Sequence, residues 1–220
     1  GEKYLFGRGG EQKDEKRAFN YFTRAADLHH PQAQGVLAFC YEFGLGIEKD
    51  FKQAEQHYIS AAERGNGLAQ ARLAFLRKYG RPSVRIDRTE AEKWQQKVKD
   101  QGRHAISWLQ TAAEKENHPA AQYSLGLGIG CSKDEEMAVH FFRLAAEQDH
   151  VSAMYHLANA MERGAGCEID LRGATYWFEK AASYGCRSSC ERLKRLLVKE
   201  FMGSDYTGSE FVCGHYAPAA

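Results

Sequence analysis

The chain has 220 residues, of which 43% are hydrophobic and 12% aromatic, enough for a packed core. Lysine and arginine number 30 against 29 aspartate and glutamate, a net charge of +1, so there is no electrostatic handle for nucleic acid or an anionic membrane. No apolar run approaches a transmembrane length, so direct membrane insertion is not expected either.

An Ala-Ala doublet recurs at Ala25-Ala26, Ala61-Ala62, Ala112-Ala113, Ala145-Ala146 and Ala181-Ala182, in steps of 36, 51, 33 and 36 residues. A period of this size is the signature of a repeat array. The chain opens at Tyr4, Gly7 and Gly9, which match the end of a first helix and its Gly-x-Gly. The first pair is therefore expected to be entered halfway, this chain being a piece of a longer one. Its second helix is predicted at about 16–28.

The unit at 31–65 carries Ala33, Leu37-Ala38, Tyr41, Gly44-Leu45-Gly46, Asp50, Ala54, Tyr58, Ala61-Ala62 and Gly65. Ala33, Leu37 and Tyr41 share one helical face, and Ala54, Tyr58, Ala61 and Ala62 share another. Gly-x-Gly breaks the first helix where positive φ is needed, and Asp50 stands at the N-cap of the second. Each unit is thus predicted to be an antiparallel helix pair. The unit at 151–185 repeats the pattern at the same offsets, through Ala153, Leu157-Ala158, Met161, Gly164-Ala165-Gly166, Asp170, Ala174, Trp177-Phe178, Ala181-Ala182 and Gly185.

These residues resemble the Sel-one-like repeat, a relative of the tetratricopeptide repeat, over about residues 1–200. The resemblance implies an all-α fold, a right-handed α-α superhelix of antiparallel helix pairs. It also implies a non-catalytic scaffold or adaptor that binds a protein or peptide. The solenoid is expected to span 1–202, with about five pairs, and residues 203–220 to form a flexible tail.

Between these regular units lie two irregularities. A third unit starts with Ala69 and Leu73-Ala74, but Arg81-Pro82-Ser83 replaces Gly-x-Gly, and Thr89 with Glu92 forms a candidate capping box. Ala91, Trp94, Val98 and Gly102 then keep the second-helix offsets, and His104-Ala105, Trp108-Leu109 and Ala112-Ala113 keep them again. Two second-type helices thus follow one another. Either an extra helix near 88–102 is docked on the solenoid, or a stretch between Gly102 and His104 is absent. In the next unit, Leu125-Gly126 is followed too soon by Gly128-Ile129-Gly130, which shortens the helix by about one turn and predicts a poor stack, a weak point for cooperativity. A last amphipathic helix, from Ser188 to about Phe201 with Leu193, Leu196 and Leu197 apolar, reads as a C-terminal cap.

Chemistry is sparsely marked. The Gly-x-Gly segments lie between helices and none continues into Gly-Lys-Ser/Thr, so they read as turns and not phosphate loops. His29, His30, His118 and His150 recur at one repeat position and read as structural. Cys40, Cys131, Cys167, Cys186, Cys190 and Cys213 do not follow the repeat and read as free thiols in a reducing, cytoplasmic compartment; Cys186 and Cys190 as a redox or metal pair is the lesser reading. Glu135-Glu136 reads as a solvated face, and Trp108 and Trp177 as core aromatics. No catalytic residue, metal ligand or cofactor site is expected.

By analogy with tetratricopeptide solenoids, the first helices line the concave surface. Positions two, five, nine and twelve of those helices share a face. They include Gln32, Gly35, Phe39 and Glu42, then Leu68, Ala71, Phe75 and Lys78, then Tyr123 and Leu127, then Tyr155, Asn159 and Glu162. The protein-binding candidates are Gln32, Phe39, Glu42, Phe75, Lys78, Tyr123, Leu127, Tyr155, Asn159 and Glu162, an aromatic stripe with charged ends. The alternative is that this stripe packs against neighbouring repeats. Two other functions stay open: a regulatory or substrate-docking region of a larger enzyme, and a structural assembly subunit.

Overall fold

The computed structural model describes residues 1–128 and 134–202, and the regular elements there are helical. The first-type helices are α1 (Glu2–Phe6), α3 (Pro31–Phe43), α5 (Gly67–Tyr79), α8 (Pro119–Gly126), α10 (Val151–Arg163) and α12 (Arg187–Met202). The second-type helices are α2 (Glu15–Asp27), α4 (Phe51–Glu63), α6 (Arg88–Gln101), α9 (Glu135–Glu147) and α11 (Leu171–Ser183). Each first-type helix except the last, α12, packs against the second-type helix that follows it, and α2, α4, α9 and α11 each pack against the next first-type helix.

Helix starts are written in the sequence. Asp14, Asp50, Asp87, Asp134 and Asp170 each accept first-turn backbone N–H groups at 2.8–3.2 Å, a cap worth about 1 kcal/mol each. Asp87 thereby corrects the candidate capping box at Thr89: the helix begins two residues earlier, at Arg88, because Asp87 binds the Glu90 N–H. First-type helices use a different cap. His30 Nδ1 accepts from Ala33 N–H and His150 Nδ1 from Ala153 N–H, with Asn66 in the same role for Ala69. The structural reading of His30 and His150 follows from these bonds.

The doublet is a packing device. Both alanines are buried at 61–62, 112–113 and 145–146, where a methyl lets the next helix approach closely. The first alanine's carbonyl also accepts the N–H of the next helix's N-cap residue, five positions on, at Ala25–His30, Ala61–Asn66, Ala145–His150 and Ala181–Cys186. Buried Gln34, Gln70 and Gln122 reach the carbonyl of the second alanine. Gly46 and Gly166 have φ near +72° and +71°, and a β-carbon on either would run into the Glu15 or Glu135 backbone. The second glycine of Gly-x-Gly is therefore required by both the turn and the close approach of the preceding second-type helix.

The two irregularities take definite form. α6 is the ordinary partner of α5, so the segment without a first-type helix is 102–115 and not 88–102. That segment runs as a 3-10 turn (Gly102–Ile106), the short α7 (Ser107–Gln110) and a π-helical turn (Thr111–Lys115). The π turn inserts one residue, so the cap bond spans six positions here, from His118 N–H to the Ala112 carbonyl. Downstream, α8 has 8 residues where α3, α5 and α10 have 13. The rest of its predicted break, Ile129 and Gly130, lies outside the described residues.

The core follows these breaks. One cluster runs from Leu5 to Leu125 and takes in Phe141; a second holds Tyr123, Phe142 and the buried faces of α9, α10 and α11. They meet at α8 and α9. Leu193 and Leu196 of α12 cover the end of the second cluster, while Leu197, Phe201 and residues 203–220 lie outside the described side chains. Trp108 and Trp177 are half-buried against the clusters and not fully interior.

Candidate functional site

The inner face of the first half is filled by the chain itself. The 102–118 segment brings Trp108 and His118 against α1 and α3. Phe39 lies 5.4 Å from Trp108, 6.4 Å from His118 and 4.5 Å from Phe43, ring centre to ring centre. Phe6 meets the same two rings. Trp108 Nε1 donates to Glu2 Oε1 at 2.9 Å, and Arg8 pairs with Glu116. Phe43 reaches on to Tyr123 and His150. In this half, rings of the stripe pack against neighbouring aromatic and imidazole rings, the second of the two outcomes that the sequence left open.

Three of the ten candidates are consequently closed to a partner. Phe39 is 0% exposed, Glu42 4% and Tyr123 7%. Glu42 has structural work instead. Arg72, 1% exposed, donates to it through Nε at 2.9 Å and through Nη2, and the Tyr58 hydroxyl donates at 2.8 Å. This knot ties α3, α4 and α5 together. Burial, with Glu42 beside it, holds the Tyr58 phenol well above its usual range. Glu162 and Tyr155 are half-buried and also engaged: Arg192 of α12 donates twice to Glu162, at 2.8 and 3.0 Å, and Tyr155 meets Phe178. Gln32 is exposed and lines a cavity of about 300 Å³ with Glu2, Phe6, Arg8 and Trp108. Lys78 is exposed and rests over the Tyr79 ring.

The remaining three, Phe75, Leu127 and Asn159, come together. They line an open cleft of about 470 Å³ with Tyr79, Arg81, Val139, Phe142, His156 and Arg163. The cleft lies beside the end of α8, at Gly126 and Leu127. Phe75 stacks toward Tyr79 at 4.8 Å, and the Arg81 guanidinium lies 5.0 Å from the Phe75 ring centre. His156 stacks on Phe142 at 5.2 Å. Burial, with the charge of Arg81 adding to it, pushes the His156 imidazole down to about 4, so it is neutral near pH 7. His118 and His150 are also pushed down to about 4, chiefly by burial.

Counting along first-type helices could not find half of this lining. Val139 and Phe142 come from a second-type helix, and Arg81 from the turn that replaces Gly-x-Gly. The legible signal was the departure at Arg81-Pro82-Ser83 itself. The arrangement offers apolar surface and cations, with no nucleophile–base pair among the lining residues. Among the described residues no three His, Cys, Asp or Glu side chains converge as metal ligands, and no helix is long and apolar enough to cross a membrane. Cys40, Cys167, Cys186 and Cys190 are free thiols, and burial pushes Cys40 up to about 12.

Comparison with known proteins agrees with the helix-pair architecture. The Sel1 repeat model matches residues 1–30, 31–66, 67–102, 96–117, 119–150 and 151–185. The DAP3-binding cell death enhancer 1 proteins of Rattus norvegicus and Mus musculus are each 34% identical over 197 residues, 88% of this chain and 36% of theirs. The chain thus spans about a third of the length of these curated relatives. A protective antigen of uropathogenic Escherichia coli strains, with an SLR fold, is 29% identical over 90% of this chain and 48% of its own, at a TM-score of 0.45. Sel1 repeats mediate protein interactions, and proteins built from them are generally non-catalytic scaffolds. With six matched stretches covering most of its length, the chain belongs to the Sel1 repeat family.

Proposed function

We propose that this chain is a docking module, without catalytic chemistry of its own, that holds a segment of a partner protein in the cleft between α5, α8, α9 and α10. The observation that carries this reading is the cleft itself: about 470 Å³ lined by Phe75, Leu127, Val139 and Phe142, beside an inner face otherwise filled by the chain's own rings. Apolar and aromatic anchors converging from several repeats are the kind of surface that binds a peptide.

The rat and mouse relatives are named for binding DAP3, which makes DAP3 the first partner to titrate. In calorimetry with the full chain, Phe75→Ala with Leu127→Ala is expected to weaken binding at least tenfold while the helical circular dichroism signal is kept. Unchanged affinity in that double variant, for DAP3 or for any other protein the chain binds, would remove the cleft from the reading.

A further inference from the structure

The cleft carries a charge pattern that the repeat frame does not explain. Several arginines of the fold are matched to carboxylates. Arg72 pairs with Glu42, Arg77 with Glu55 at 2.6 Å and Glu90 at 2.7 Å, and Arg192 with Glu162. Arg81 and Arg163, both lining the cleft, have no carboxylate partner among the described residues. Arg81 spends one N–H on the Gly80 carbonyl at 2.9 Å and lays its plane near Phe75. The lining contains one carboxylate, Glu135, against these two guanidiniums.

A third guanidinium, its charge offset by Glu42, also lies near the Phe75 ring. The Arg72 guanidinium is 5.1 Å from the Phe75 ring centre, and its Nη1 is buried without an acceptor. Phe75 thus has guanidiniums of both Arg72 and Arg81 close to its ring. Burial raises the Tyr123 phenol above its usual range; Arg81 and Arg72 oppose that push, and Glu42 adds to it. Neutral His156 adds nothing to the positive charge near pH 7. Arg81 is half-buried and Arg163 exposed, so their attraction for an anion is short-ranged and weakens with salt.

We propose that the cleft selects an acidic segment with apolar anchors: aliphatic or aromatic side chains enter between Phe75, Leu127 and Val139, and flanking carboxylates meet Arg81 and Arg163. This rests on the docking reading above and names the partner's chemistry. Arginine presents a planar fork of donors that suits a carboxylate, and contact with the Phe75 ring and the Gly80 carbonyl helps to hold the Arg81 fork in place. A basic or neutral segment would leave both guanidiniums unmatched.

The test is selection of random 12-residue peptides, displayed on phage, against the immobilised full chain, followed by fluorescence titration of the selected peptides. Peptides that lose binding with Phe75→Ala and Leu127→Ala are the cleft-directed set. That set is expected to be enriched in Asp and Glu beside aliphatic or aromatic residues. Its affinity is expected to fall at least tenfold with Arg81→Glu and Arg163→Glu, several-fold with Arg81→Gln and Arg163→Gln, and at least fivefold between 0.05 and 0.5 M salt, orders of magnitude set by a few charge contacts. Cleft-directed peptides without acidic enrichment, or indifferent to both arginine pairs, would overturn the acidic proposal and leave docking intact. Absence of any peptide sensitive to Phe75 and Leu127 would overturn docking and the proposal together. If the glutamate variants change the sedimentation coefficient of the chain alone, the occupant is a second copy, and the proposal fails.

Discussion

Phe39 and Phe75 occupy the same position of successive first-type helices, 36 residues apart, yet one is wholly buried and the other lines an open cleft. Their own helices do not account for this, since α3 and α5 have the same length and nearly the same buried pattern. The difference comes from what stands opposite. Phe39 faces Trp108 and His118, delivered by the unpaired segment at 102–118. Phe75 faces the end of α8, cut short by a turn. One departure from the period covers its repeat position and the other borders the cleft, so the exposure of a repeat position here follows the irregular units as well as the repeat itself.

The sharpest way to break this comparison is to attack the interior of each half. Arg72→Leu strands Glu42 in the first half and is expected to cost about 3–5 kcal/mol in urea unfolding. Arg192→Leu removes the half-exposed partner of Glu162 in the second half and is expected to cost less than about 1 kcal/mol. Adding Glu42→Gln to Arg72→Leu is expected to recover part of the loss, because the uncompensated charge goes with it. Equal costs in the two halves would erase the distinction.

Phe39→Ala and Phe75→Ala test the same repeat position directly. The first leaves a cavity among Phe43, Trp108 and His118 and is expected to lose about 3–4 kcal/mol. The second removes a half-buried ring and is expected to lose about 1–2 kcal/mol, its main effect appearing in partner affinity. Phe39 is therefore a probe of stability and not of binding. The reverse ranking in thermal melts would contradict the burial described here.

Acid gives a gentler test. His118 is pushed down to about 4, chiefly by burial, and neither ring nitrogen has a partner. The unfolded chain takes up that proton near pH 6.5 and the folded chain only near 4, so stability is full above 6.5 and falls as pH drops between the two values. His118→Phe loses no hydrogen bond and is expected to flatten that fall, by about 2 kcal/mol at pH 5 relative to pH 7. His150 and His156, shifted the same way in the second half, keep the remaining slope. A variant with the original slope would show that His118 is not shielded as the closed half requires.

Much of the fold was legible because its determinants are local. Asp50 and Asp170 could be named as caps, Gly-x-Gly as helix ends and the doublets as helix contacts, each from neighbours within a few positions. The site was less legible because it depends on distance in sequence. Nothing near Phe39 signals that residues 108–118 will cover it, and nothing near Tyr123 signals Phe43. The count of first-helix positions named Phe75, Leu127 and Asn159 among ten candidates, and left open whether each would line a groove or pack against a neighbouring repeat. Even the misplaced cap at Thr89 has this character in miniature: the choice between Asp87 and Thr89 turns on which residue reaches the first free N–H, two positions apart.

The fastening of α1 to the 107–118 region has a consequence for how the chain is made. Helix pairs stacked in a row form through contacts between near neighbours and can begin anywhere along the row. Arg8 and Glu116 stand 108 positions apart, and Glu2 and Trp108 stand 106 apart. Bringing such distant residues together costs chain entropy before it returns any contact energy, which makes it a late event among otherwise rapid local ones. In a variant that keeps Trp108 as its one indole (Trp94→Phe with Trp177→Phe), refolding is therefore expected to show fast recovery of helix followed by a slower fluorescence change as Trp108 meets Glu2.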